Sequence, residues 1–246
     1  MAEAVAIIPS RFGSTRFPGK PLALIAGVPM IRRVYERALR CRCLREVYVA
    51  TDDDGIYSAV EKFGGRAVMT GSFHRSGTDR VCEAAETIGL DPGTVVVNIQ
   101  GDQPAYPPSV IDELVEPFDS DTPPSMTTLM YRIVDYDQAH DPNQVKVVTD
   151  SLGNALYFSR SPIPYHRDGT PFHFFKHLGF YAYRVRFLKE FTGLPEGWLE
   201  SLEKLEQLRA LEYGFRIRVI EAGFDSVEVD VPGDIERVEA HLAAED

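Results

Sequence analysis

Residues 9–20 read Pro-Ser-Arg-Phe-Gly-Ser-Thr-Arg-Phe-Pro-Gly-Lys and gather three cations, Arg11, Arg16 and Lys20, among glycines and hydroxyls. Cations concentrated in one loop of an acidic chain make an anion cradle, the alternative being an ordinary surface loop with solvated charges. It is not a nucleoside-triphosphatase P-loop. Gly13 and Gly19 stand too far apart, and Pro21 follows Lys20 where Ser or Thr is required. Two carboxylates suit the same ligand. Asp102 ends the run Val95-Val-Val-Asn-Ile-Gln-Gly-Asp102, and Asp230 ends Val227-Glu-Val-Asp230. Either could be a turn residue bonding its own backbone. Beside a polyphosphate loop, the pair would instead hold a hard cation such as Mg2+ for phosphoryl or nucleotidyl transfer. Ser76-Gly77-Thr78 opens a helical pattern with Arg80 in its first turn, so its amides could hold an anion, although capping is the commoner use of such a serine.

Placing these residues requires a layered fold. Val5–Ile8 is an unbroken apolar run, as expected of a strand buried on both faces. Met30, Val34 and Ala38, beside Ile31, Tyr35 and Leu39, give one apolar helical face. Further strands are expected at Val47–Ala50, Ala67–Met69 and Thr94–Ile99, with a helix through Val81, Ala84, Ala85 and Ile88. This βαβ rhythm predicts a mostly parallel sheet flanked by helices, and ligands then bind beyond the carboxyl ends of the strands. The second half changes to strand-like runs at Ser125–Val134, Val145–Thr149 and Ala155–Ser159, with Asp150–Asn154 as a hairpin turn. Leu199, Leu202, Leu205, Leu208 and Leu211 recur every third residue and predict one helix running to Tyr213-Gly214. Strands near Arg216–Ile220 and Val227–Val229 and a helix from Pro232 to about Ala244 close the chain. With no repeat and no linker, residues 1–246 read as a single domain carrying an antiparallel insertion at about 126–190.

Composition narrows the function. The 26 Lys and Arg against 37 Asp and Glu leave a net charge of -11, which repels long nucleic acids. No apolar run is long enough for a bilayer or for a secretory leader, so a cytoplasmic protein without membrane or nucleic-acid partners is expected. Cys41, Cys43 and Cys82 read as reduced structural thiols rather than a zinc site. His177 reads as structural, and Glu206 and Gln207 as a solvated helix face.

Six separated motifs change those last readings. Ile7–Leu22, Ser76-Gly-Thr-Asp-Arg80, Asn98-Ile-Gln-Gly-Asp-Gln-Pro104, Leu156-Tyr-Phe-Ser-Arg160, Lys176-His-Leu-Gly179 and Leu205-Glu-Gln-Leu-Arg209 occur in the order found in 3-deoxy-manno-octulosonate (KDO) cytidylyltransferases, a family that the chain resembles over nearly its whole length. The resemblance implies a nucleotidyltransferase-like α/β fold whose antiparallel insertion forms a homodimer. It also implies transfer of CMP from CTP to an acidic eight-carbon sugar, with release of pyrophosphate, for lipopolysaccharide synthesis. By that likeness Arg11, Ser14, Arg16 and Lys20 hold the triphosphate, with Arg16 and Lys20 catalytic. Ser76, Gly77, Arg80 and Gln100 surround the nucleotide, and Asp102 and Asp230 hold Mg2+. Arg160, His177, Tyr181, Glu206 and Gln207 line the sugar-acid pocket. Departures from the family pattern are Gln103 where Glu is usual, a short Ile163–Lys176 segment, and Asp230-Val-Pro-Gly-Asp234 for Asp-Thr-Pro-Glu-Asp. The first two resemble the branch acting on 8-amino-3,8-dideoxy-manno-octulosonate (8-amino-KDO). An acylneuraminate cytidylyltransferase and a non-catalytic nucleotide sensor are the alternatives.

Overall fold

The computed structural model describes residues 3–13, 17–167 and 173–244. Ser14 and Arg16 of the cationic loop lie outside the described residues. The first half runs β1 (Ala4–Ser10), a two-strand ribbon of β2 (Leu24–Ile25) and β3 (Val28–Pro29), α1 (Met30–Ala38), β4 (Leu44–Thr51), α2 (Asp54–Lys62), β5 (Ala67–Met69), α3 (Gly77–Thr87), β6 (Val95–Asn98) and α4 (Ser109–Val115). The second half runs β7 (Met126–Arg132), α5 (Tyr136–His140), β8 (Lys146–Thr149), β9 (Ala155–Ser159), β10 (Phe175–Arg184), α6 (Val185–Gly193), α7 (Trp198–Glu203), α8 (Gln207–Glu212), β11 (Ile217–Glu221) and α9 (Asp234–Ala243).

The main sheet has the order β11-β7-β10-β6-β1-β4-β5. Its neighbours are parallel except where β10 runs antiparallel between β6 and β7. The apolar run of β1 explains its central place. Ala4, Ala6 and Ile8 pack on one face with Ile31, Val34, Ile56 and Leu114, while Val5 and Ile7 pack on the other with Val81, Ala84 and Leu188. Both faces are dry, so truncating Ile7 to Ala would cost about 2–5 kcal/mol. The three cysteines are buried and free, and burial raises the Cys41 thiol to about 12.

Two expectations are corrected. The leucine-striped segment is two helices, because Lys204 takes a left-handed conformation (φ 53°) and ends α7. A three-residue repeat drifts about 60° around a helix per step, so one straight helix cannot bury every leucine. The break leaves Leu202 62% exposed while Leu205 and Leu208 are buried. Residues 227–229 form no strand, only a bridge between Val227 and Ala105. Of the segment 126–190, β7 and β10 are woven into the central sheet, and only the β8–β9 hairpin stands off its main path, with Asp150 Oδ1 accepting from the Leu152 and Asn154 amides at its turn.

Candidate active site

The site lies beyond the carboxyl ends of β1 and β6, the position an open α/β sheet reserves for ligands. There the chain makes two tight approaches. Gly19 adopts φ 70° and introduces the short 3-10 turn Lys20–Leu22, which swings Lys20 inward. At Gly101 an added Cβ would sit 2.8 Å from Ser10 Oγ and 3.1 Å from the Pro9 carbonyl, so a side chain there would force the two loops apart.

Lys20 Nζ donates to Asp102 Oδ2 at 2.7 Å and to the Val229 carbonyl at 2.9 Å, and lies 3.9 Å from Asp230 Oδ1. Asp102 and Asp230, separated by most of the C-terminal half in sequence, are thus neighbours around one ammonium. The Val229 amide donates to the Asp102 carbonyl at 3.0 Å and fixes the two segments together. Asp234 Oδ2 accepts the Asp230 and Val231 amides at 2.8 and 2.9 Å and so fixes the backbone that carries Asp230.

A cleft of about 370 Å³ opens from this cluster and is lined by Arg11, Ser76, Gly77, Arg80 and Gln100 as well as Lys20 and both aspartates. Ser76 caps α3 by accepting from the Asp79 amide at 3.1 Å. The buried Arg80 spends its guanidinium on Asp52 at 2.9 Å and Thr70 Oγ1 at 2.5 Å, so it floors the cleft rather than presenting an unmatched cation. His74, which the motifs did not single out, also lines the cleft and pairs with Glu83.

A second, larger hollow of about 910 Å³ adjoins the first and shares Gln100 and Asp230 with it. His177, Tyr181, Glu206 and Gln207 line it. His177 bonds Thr128 Oγ1 at 2.8 Å and is packed by Phe158 and Tyr181, and although its surface is not wholly covered, desolvation pulls its pKa down to about 3. It is a neutral imidazole at pH 7. Glu206 reaches back to α3 and accepts from Ser76 Oγ at 2.9 Å and Thr78 Oγ1 at 2.8 Å. Burial raises its pKa, and the two hydroxyls oppose that rise. Glu206 is held in place by a buried fork in which Arg209 grips Glu200 at 2.7 and 2.6 Å across the break between α7 and α8.

Arg160 lines neither hollow; its guanidinium donates to the Glu203 and Pro142 carbonyls. The motif reading also missed Glu228, which faces the second hollow and accepts from the Gln103 amide at 2.6 Å. Glu228 still reaches solvent, but the protein around it raises its carboxyl to about 7, first by desolvation and then through the charge of Asp102. Its alternation with Val227 and Val229 was the available signal.

Among the described residues no three His, Cys, Asp or Glu side chains form a metal cage. Asp102 and Asp230 nevertheless fit a hard divalent ion that completes its shell with water and phosphate oxygens, and the Lys20 ammonium between them marks where positive charge is wanted.

Comparison with known proteins agrees with this geometry. The family described as cytidylyltransferase matches residues 5–218. A 3-deoxy-manno-octulosonate cytidylyltransferase of Desulfatibacillum aliphaticivorans is 58% identical over 241 residues, covering 98% of each chain. An 8-amino-3,8-dideoxy-manno-octulosonate cytidylyltransferase of Shewanella halifaxensis is 52% identical, covering 97% of this chain and 98% of the other. The structure of a CMP:2-keto-3-deoxy-manno-octonic acid synthetase complexed with CTP superposes with a TM-score of 0.93 at 43% identity, covering 100% of both chains. A 4-diphosphocytidyl-2C-methyl-D-erythritol synthase shares the fold alone, at 14% identity and a TM-score of 0.64. With its fold, its paired hollows and its full-length relatives in accord, the chain belongs to the cytidylyltransferase family.

Proposed function

We propose that this enzyme transfers the cytidylyl group of CTP to the anomeric hydroxyl of KDO or 8-amino-KDO, releases pyrophosphate, and so supplies an activated sugar for lipopolysaccharide synthesis. One observation carries the reading: Lys20, Asp102 and Asp230 converge where a nucleotide-sized cleft meets a hollow large enough for an eight-carbon acid. We place the triphosphate against Arg11 and Lys20, and the base over Ser76, Gly77, Arg80 and Gln100. Mg2+ held by Asp102 and Asp230 would offset phosphate charge and acidify the acceptor hydroxyl.

The side chains do the rest by position. On arrival of the triphosphate, Lys20 exchanges Asp102 for phosphate oxygens and stabilises charge passing to the departing pyrophosphate. Neutral His177 and Tyr181 offer hydrogen bonds to the sugar without adding charge, while Glu206 and Gln207 read its hydroxyls from the start of α8. Proximity supplies much of the rate, because two anions that repel in water are seated in adjoining hollows.

The 8-amino acceptor is favoured by Glu228. A carboxylate on the sugar wall, accepting from neutral Gln103 rather than from a cation, complements an ammonium better than a hydroxyl. We further place the enzyme in the cytoplasm as a homodimer. Support for the dimer comes from Leu152, Leu156, Trp198 and Leu202, all more than 60% exposed on or beside the β8–β9 hairpin and on α7. Among the described residues no helix is long and apolar enough to cross a membrane. The decisive assay is pyrophosphate release from CTP and Mg2+ with KDO, 8-amino-KDO and N-acetylneuraminate in parallel. Either octulosonate should be the best acceptor; preference for N-acetylneuraminate, or CTP binding without pyrophosphate release, would overturn the reading.

A further inference from the structure

Lys146 is fully buried, an expensive place for an ammonium, and no part of the chemistry above uses it. Its Nζ donates to the main-chain carbonyls of Asp141 at 2.9 Å and Gln144 at 2.5 Å. Arg160 sits beside it, one residue past the Lys146–Ser159 pairing of β8 with β9. Arg160 Nη1 donates to the Pro142 carbonyl at 2.9 Å and Nε to the Glu203 carbonyl, at the end of α7, at 2.8 Å. The Arg160 amide and the Ser159 hydroxyl then hold the Glu203 carboxylate at 2.9 and 2.6 Å.

Two cations therefore take three carbonyls of the loop 141–144 and one at the end of a helix. The ends they grip are the walls of the second hollow. Asp141, Asn143 and Gln144 line it from the loop, and Leu205, Glu206 and Gln207, just beyond Glu203, line it from the start of α8. Neither Lys146 nor Arg160 lines it themselves. Charge-assisted bonds to carbonyls are stronger than neutral ones, and Arg160 alone spans from one wall to the other.

We propose that Lys146 and Arg160 are positioning residues for the acceptor sugar, a clasp behind the hollow that fixes the loop 141–144 against the Glu203 end of α7. The proposal rests on the sugar-pocket reading above. It gives Arg160 a task beside the sugar-pocket role that the resemblance implies, and it gives the buried lysine a reason to be charged. Without the clasp the loop and the helix end part, and the sugar's hydroxyls lose their partners, while the nucleotide cleft, built on β1, α3 and β6 and joined to that helix end through the Glu206 bonds to Ser76 and Thr78, is disturbed less.

The test uses the full chain with Lys146→Met, Lys146→Arg and Arg160→Lys. Steady-state pyrophosphate release is measured with the octulosonate varied at saturating CTP and then with CTP varied, alongside hydrogen exchange of the peptide covering 141–145. Lys146→Met should raise the sugar KM by about tenfold or more, leave the CTP KM within about twofold, and speed exchange of that peptide. Lys146→Arg should restore part of the sugar KM. Arg160→Lys keeps the charge but loses the span, so it should raise the sugar KM as well, and it carries the test should Lys146→Met fail to fold. An unchanged sugar KM, or equal rises for both substrates, would overturn the clasp. If the unaltered enzyme turned over neither octulosonate, the functional reading would fall instead, and exchange in 141–145 would still decide whether the clasp exists.

Discussion

Lys20 and Asp102, 82 residues apart, meet at 2.7 Å with the ammonium also in reach of Asp230. In the free enzyme a side-chain cation thus occupies the neighbourhood where a divalent ion is wanted, and the two must compete. A metal ion arriving alone has to displace Lys20, whereas one arriving with a triphosphate brings the anion that draws Lys20 away. Lys20→Met should therefore bind Mn2+ more tightly without nucleotide, by about tenfold or more, since an ammonium beside the carboxylates is removed. It should also lose turnover. Mn2+ titration followed by electron paramagnetic resonance reads the first effect, and weaker Mn2+ binding by the variant would refute the competition.

Asp102→Asn keeps the size and loses the charge. Because Asp102 also stands beside Lys20 and carries the carbonyl that accepts from Val229, the fold should survive through the main-chain bond while catalysis does not. Turnover should fall at least ~10²-fold, about 2.7 kcal/mol of transition-state stabilisation, with a melting temperature close to the parent's. Near-normal turnover would show that Asp102 holds no metal in the reaction.

Glu228 offers a test of acceptor choice. Glu228→Gln removes the carboxylate and leaves an amide able to face Gln103. If the carboxylate reads an ammonium, the ratio of kcat/KM for 8-amino-KDO over KDO should drop by about tenfold, through the loss of a charge-assisted bond. A ratio that does not move would assign the discrimination elsewhere.

How much of this was written in the chain differs by region. β1 and α1 were legible because a continuous apolar run and a four-residue spacing are local signals. The antiparallel place of β10 between β6 and β7 was not, because strand order is decided by pairing between segments far apart. The same contrast holds in the site. Lys20, Asp102, Ser76 and Glu206 were named from motifs, but the motifs could not tell that Ser76 and Glu206 bond each other or that Arg80 is consumed by Asp52. Lys146 left no trace at all, since a buried lysine looks like any other until its carbonyl partners are seen.

His177 supplies a pH prediction for the folded state. Its pKa of about 3 lies below the 6.5 of an exposed histidine because desolvation disfavours the imidazolium. Between those values the unfolded chain binds a proton that the folded chain refuses, so stability rises with pH across this window. The contribution is complete above about 6.5 and is lost progressively on acidification, at no more than about 1.4 kcal/mol per pH unit. His177→Gln can keep a polar atom near Thr128 while removing the titration. Chemical denaturation at pH 7.5 and at pH 5 should show the parent losing more stability than the variant between the two conditions. Equal losses would mean that the imidazole is solvated in the folded enzyme, and then His177 could also meet the sugar as a cation, which would change the charge balance of the whole acceptor pocket.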